Sequence, residues 1–265
     1  MELIKLVRKY KELGIADTID HEKFSSISIV HHSTVIEGST LTEVETQVLI
    51  NDDLTPKGKP FVHSQMVLDH YEALKFVIEE AKKKTPITIE LIQKINSLTI
   101  KNTGSIHNTV FGEVDSTKGE FRKGNVFAGD TYFPNFDKVE KLTENLVDGI
   151  NLRMKNELTI EEKINLSFDA HYNLVSIHPF YDGNGRTSRL FMNYLQSYYK
   201  LPLAIVHNEN KVSYIEALTE TRKSENLNIF RKFMNNEYSN LLKSEIKKYE
   251  EMQKPNKGKG FAILL

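Results

Sequence analysis

The 265-residue chain contains no cysteine and no tryptophan. Without cysteine there are no disulfides and no thiolate chemistry, and the composition fits a reducing compartment. No apolar run approaches the roughly 20 residues that a membrane-spanning helix needs. The opening MELIKLVRKYKELG is too charged for the apolar stretch of a signal peptide. The expectation is therefore a cytoplasmic protein with no membrane partner. Charge of either sign is not in excess: 35 Lys and Arg face 36 Asp and Glu, a formal net charge of −1. General nucleic-acid binders are usually basic across the domain, so nucleic acid is not expected as a partner. Neither an internal repeat nor a second composition class interrupts the chain. What is present, 39% hydrophobic and 27% charged residues, describes a soluble globule able to bury a sizeable core.

Helical periodicity dominates. Apolar residues at helical spacing predict helices over 2–13, 21–37, 64–84, 186–199, 213–223 and about 227–250. Thr42-x-x-Glu45, Asp137-x-x-Glu140 and Thr159-x-x-Glu162 are capping-box patterns opening three more, and Thr88 is a candidate cap for another. Residues 102–120 lack periodicity and read as loop. The stretch FRKGNVFAGDTYFP, 121–134, gathers aromatics and valine around Gly-Asp and reads as a β-hairpin. The tail KPNKGKG reads as a loosely held end. The fold class is mainly α, with one β-hairpin.

The stretch SIHPFYDGNGRTSRL, 176–190, carries the chemistry. Gly183, Asn184 and Gly185 allow close approach of backbone N–H groups to a ligand. A helix opening at about Arg186 would aim its free N–H groups and positive dipole end at the same spot, which makes an anion site. Arg186 and Arg189 lie three apart on that helix, and guanidinium groups bind phosphates bidentately. Asp182 suits Mg²⁺, which takes one or two carboxylates and completes its shell with phosphate oxygens and water. His178 has an ordinary pKa near neutrality and can accept a proton from an attacking hydroxyl. Each feature taken alone is more often structural; together, within twelve residues, they point to polyphosphate chemistry.

The same residues, HPFYDGNGRTSR, resemble the Fic family signature, His-Pro-Phe-x-Asp/Glu-Gly-Asn-Gly-Arg-x-x-Arg, at every specified position. The resemblance implies a Fic-type helical bundle core, placed at 60–235, between an N-terminal helical region at 1–59 and a C-terminal helix end and tail at 236–265. It implies an Mg²⁺-dependent protein adenylyltransferase that moves AMP from ATP to a Ser, Thr or Tyr hydroxyl. His178 would be the base and Asp182 the metal ligand. Gly183, Asn184, Gly185, Arg186 and Arg189 would hold the phosphates. The hairpin at 121–134 resembles the flap on which the family clamps a target protein by strand pairing. Tyr214 resembles a tyrosine near the family's adenosine pocket, and equally suits a core position beside Leu218. Glycine at 183 and at 185 departs from the branches that transfer phosphocholine and phosphate.

A second stretch, HSTVIEGS, 32–39, matches the family's inhibitory motif at Ser33, Glu37 and Gly38. The resemblance implies a built-in brake, in which the Glu37 carboxylate takes the Arg189 guanidinium that the γ-phosphate needs. Alternatives stay open: the reverse reaction at the same site, removal of AMP from a modified protein; transfer of another nucleotide; a metal hydrolase; and a non-catalytic regulatory binding module. Self-association is left open too. The lysines of the C-terminal region (Lys243, Lys247, Lys248, Lys254, Lys257, Lys259) read as a solvated face.

Overall fold

The structure is a computed structural model that describes residues 2–129 and 131–254. Its elements run α1 (Glu2–Glu12), α2 (His21–Ile36), α3 (Glu43–Asp52), α4 (Phe61–Lys82), α5 (Ile89–Thr99), β1 (Ile106–Thr109), β2 (Gly112–Asp115), β3 (Phe127–Ala128), β4 (Thr131–Tyr132), α6 (Val139–Met154), α7 (Ile160–Ile177), α8 (Asn184–Tyr198), α9 (Lys211–Ser224) and α10 (Leu227–Met252). The mainly α reading holds. Two of the expected capping boxes are formed. Thr42 Oγ1 accepts from the Glu45 N–H at 3.2 Å while Glu45 accepts from the Thr42 N–H at 2.8 Å. Thr159 and Glu162 repeat the arrangement at 3.3 and 2.8 Å. Each box satisfies N–H groups that a helix start leaves without partners. Asp137 forms no such box: a 3-10 turn, Phe136–Lys138, intervenes, and α6 starts at Val139 without a side-chain cap.

α8 is the axis of the molecule. Every residue from Arg186 to Gln196 is buried, as expected of a helix packed on all sides. α4, α5 and α7 surround it, α2 lies across α4 and reaches α8, and α10 packs on α7, α9 and α1. Phe191, Tyr194 and Leu195 of α8 join Val67, Leu74 and Val77 of α4 and Phe168 and Leu174 of α7 in one core. A helix held this way has a fixed N-terminus, which is where the motif places its glycines. No helix among the described residues is long and apolar enough to cross a membrane.

The hairpin expected in 121–134 is present as the antiparallel β3–β4 pair, Phe127 opposite Tyr132. The loop reading of 102–120 is corrected: β1 and β2 form a second antiparallel hairpin, Ile106 opposite Asp115 and Thr109 opposite Gly112. Val114 is its one fully buried apolar side chain, while Ile106, Val110 and Phe111 face solvent, so no alternation of buried and exposed residues marked it in sequence. Lys243 pairs with Glu2 at 2.7 Å and Lys247 with Glu251 at 3.9 Å. The expected tail lies, beyond Lys254, outside the described residues.

Candidate active site

The site forms where α7 ends and α8 begins. His178 caps α7 in the left-handed region, φ 53° and ψ 58°, and its N–H donates to the Leu174 carbonyl. A non-glycine residue holds that conformation only where its surroundings enforce it. Here they do. The His178 carbonyl accepts from Arg122 Nε at 2.8 Å, and the Phe133 ring stacks on the imidazole at 3.8 Å, 16° from parallel. His178 Nδ1 faces the Val175 carbonyl at 3.3 Å. That contact favours the tautomer with a proton on Nδ1, leaving the Nε2 lone pair free. Burial pushes the imidazole down to about 4; the Val175 carbonyl works against this, and the nearby Arg122 charge adds to it. The ring is therefore neutral at physiological pH.

The loop that follows is tied down by its own side chains. Asn184 accepts from the Phe180 N–H at 3.0 Å and donates to the Phe180 carbonyl at 2.8 Å. This closes the turn and places α8's first N–H groups at the mouth of the site. The side chain of Asn184 is thus occupied, and only its backbone is free to meet an anion. α8 opens at Asn184, two residues before the expected Arg186. Gly183 has φ 75°, and a Cβ there would stand 2.8 Å from Ile100 Cγ2 and 2.9 Å from Asn96 Nδ2. The position needs glycine both for its backbone and for its space. Asn96, fully buried on α5, donates to the Asp182 carbonyl at 3.0 Å and to Thr187 Oγ1 at 3.1 Å. It holds the two ends of the turn at once.

The two arginines diverge. Arg186 is buried; it donates to the Thr99 carbonyl at 3.2 Å and to Asp182 Oδ1 at 3.4 Å. Its Nε is buried with no hydrogen-bond partner among the described residues. Arg189, also buried, donates from Nε to Ser33 Oγ at 2.9 Å, and from Nη2 to the Ser33 carbonyl at 3.0 Å and Glu37 Oε1 at 2.6 Å. Burial alone would raise Glu37, but the Arg189 and Arg186 guanidiniums outweigh it and hold the carboxyl below its usual range. Glu37 also lies directly over the turn: a Cβ at Gly185 would meet its Oε1 at 2.5 Å. The carboxylate thus sits at the N-terminus of α8, where an anion is favoured. Gly38, φ 105°, lets the chain leave α2 immediately afterwards.

Asp182 keeps 54% of its side chain exposed. Its Oδ1 accepts from the Gly183 N–H at 2.5 Å, while Oδ2 makes no hydrogen bond within the described residues. One exposed carboxylate with a free oxygen, beside an anion site, fits the modest protein share of an Mg²⁺ shell. Among the described residues no group of three or more acidic or histidine side chains forms a metal cage of its own.

Tyr214 is placed behind the site rather than on its open wall. It is 2% exposed, and its hydroxyl lies 2.8 Å from His171 Nε2. Burial raises it and, for His171, lowers the imidazole well below its usual value. Arg122, Phe133 and Asn96 escaped the sequence reading. FRK in a hairpin and N in an amphipathic helix give no local sign of a role; these partners lie 45 to 91 residues away.

Residues 86–196 match the model of the Fic/DOC family. The protein adenylyltransferase Fic of Drosophila willistoni is 33% identical over 190 residues, covering 71% of this chain and 35% of the relative. The Nematostella vectensis protein of the same name is 32% identical over 192 residues, covering 72% of this chain and 42% of the relative. The chain thus spans well under half the length of these relatives. A Fic domain containing signaling protein from Bacteroides thetaiotaomicron has the same fold, with a TM-score of 0.79 and 23% identity over 95% of this chain and 97% of that one. Fic-1 from C. elegans gives 0.76 and 22%, over 95% and 72%. The glycine turn, its buried arginines and the His178 cap all fall inside the matched segment, and residues 86–196 of the chain are a Fic/DOC family domain.

Proposed function

We propose that the chain is a protein adenylyltransferase, moving AMP from ATP to a Ser, Thr or Tyr hydroxyl of a target protein, and that Glu37 restrains it. The observation that carries this is the Glu37 carboxylate lodged on Arg189 and over Gly185, a protein anion in the place a phosphate would take. The related adenylyltransferases agree with the reading. ATP would lay its phosphates along the Gly183–Gly185 turn, against the N–H groups of α8, with Arg189 on the γ-phosphate. The buried Arg186 charge would add to the field beneath. Asp182 would hold Mg²⁺, whose role is to neutralise charge on the phosphate oxygens.

In the transfer, the target hydroxyl gives its proton to His178 Nε2 as its oxygen bonds to the α-phosphorus. The bond from that phosphorus to the β-bridging oxygen breaks, and pyrophosphate leaves. A neutral imidazole is ready at physiological pH, although its depressed basicity makes positioning the larger contribution. Target segments would pair with β3 or β4 of the flap, whose short strands stand at the site's edge. Tyr214 would act from behind, through the packing that keeps Arg189 in place.

The test uses ATP labelled at the α- or the γ-phosphate, with the Glu37→Gly variant and a cell lysate. Label from the α-position alone is expected on protein. His178→Ala should abolish it while calorimetry still detects ATP binding. Retained γ-label, or transfer surviving in His178→Ala, would defeat the reading.

A further inference from the structure

Arg122 is a buried cation, 2% exposed, with no carboxylate within ion-pair distance among the described residues. Such a charge is costly to bury without a counter-ion, so its hydrogen bonds must compensate. All of its side-chain bonds go to carbonyl oxygens. Nε donates to His178 at 2.8 Å, Nη1 to Gly124 at 2.8 Å and Nη2 to Pro134 at 2.5 Å. Its backbone N–H donates to the Pro179 carbonyl at 3.0 Å. One residue therefore grips two consecutive peptide groups of the catalytic loop and the chain on both sides of the β3–β4 hairpin.

The consequence is geometric. His178 holds a left-handed backbone before a proline, a conformation that requires external restraint. Arg122 restrains the carbonyls on both sides of that bond. It also fixes Pro134, whose neighbour Phe133 stacks on the His178 ring. Arg222 also lies over the Phe133 ring, 5.6 Å from its centroid. Backbone and ring of His178 are thus aligned from a single guanidinium.

We infer that Arg122 is a positioning residue for transfer, locking the target-binding hairpin and His178 into one unit so that the base is aimed by the same element that receives the target. The inference rests on His178 being the base. A planar fork is needed to hold three carbonyls at once, and lysine offers only a point charge.

The experiment compares Arg122→Gln, Arg122→Lys and His178→Ala, all in the Glu37→Gly protein. The self-modification rate at saturating α-labelled ATP, ATP affinity by calorimetry, and the rate against pH are measured. Arg122→Gln should slow the rate by about a hundredfold, the scale of an ångström of misplacement, with ATP affinity within about threefold because Arg122 touches none of the phosphate cradle. Arg122→Lys should recover part of the rate. Removing the Arg122 charge should also move the acid limb of the rate toward neutral pH, a shift that general loss of folded protein would not give. A rate within about threefold of the parent in Arg122→Gln, or rate and ATP affinity falling together, would overturn the inference. If Arg122→Gln does not fold, Arg122→Lys decides by the same criteria. Transfer surviving in His178→Ala would remove the base and this inference with it; a dead His178→Ala beside an unchanged Arg122→Gln would remove the inference alone.

Discussion

A single carboxylate occupies the Arg189 guanidinium, which on the proposed reading would otherwise meet a phosphate. Glu37 spans 152 positions of sequence to reach it at 2.6 Å. Ser33, one turn earlier on α2, accepts from the same guanidinium, so α2 holds Arg189 at two points. Gly183 sits at the opposite extreme, where having no side chain is the requirement. Gly183→Ala would put a Cβ 2.8 Å from Ile100 at a φ of 75°; the expected cost is about 1–3 kcal/mol, read as a lower Tm with weakened ATP binding. His178 supplies a pH test. Burial brings it to about 4, and a base fails only when protonated, so transfer by Glu37→Gly should be level from pH 6 to 8. It should fall only as the pH nears the low value, and a limb near the ordinary histidine pKa of about 6.5 would show that the ring is not buried in the working state.

The site's residues were legible because GNGRTSR packs its turn and cations within a few positions. Arg122 and Asn96 were not, because their partners, backbone carbonyls and the Thr187 hydroxyl, are brought near only by the folded chain.

At the scale of elements, helix starts with a side-chain cap were readable to within a residue or two. Thr42, Thr88 and Thr159 each accept from an N–H three positions on. Asp137 had the same pattern and failed, because a 3-10 turn took the position. The β1–β2 hairpin was lost since its apolar side chains are mostly exposed and carry no period. Docking of α2 has a pH signature of its own. The Glu37 carboxyl is held below its unfolded value, so the pair's stabilisation is fully present above about pH 4.5 and is lost as pH falls through the lower folded value. Glu37→Gln should therefore melt below wild type at pH 7, and the gap should close in strong acid. A gap that persists there would assign the effect to shape rather than charge. Asp169 on α7 accepts bidentately from Arg231 on α10 at 2.7 Å and from Arg153 on α6 at 2.9 Å. Both arginines are partly exposed, which screens the charges. Asp169→Ala should cost on the order of 2 kcal/mol in urea unfolding, with little effect on ATP affinity.

The whole molecule is a bundle built around one buried helix, with the candidate site at that helix's N-terminus and Glu37, the proposed brake, laid across it. α8 is fixed by α4, α5 and α7, so the cradle is rigid, while α2 meets α8 mainly through Arg189 and its partners. The arrangement makes Glu37 separable from the catalytic loop: removing it should free the arginine without disturbing the turn. The most direct measurement is protein labelling from α-labelled ATP by wild type and Glu37→Gly side by side, at equal concentration and pH 7.5. The account predicts strong labelling by the variant and little by wild type. Equal labelling by the two proteins would contradict it.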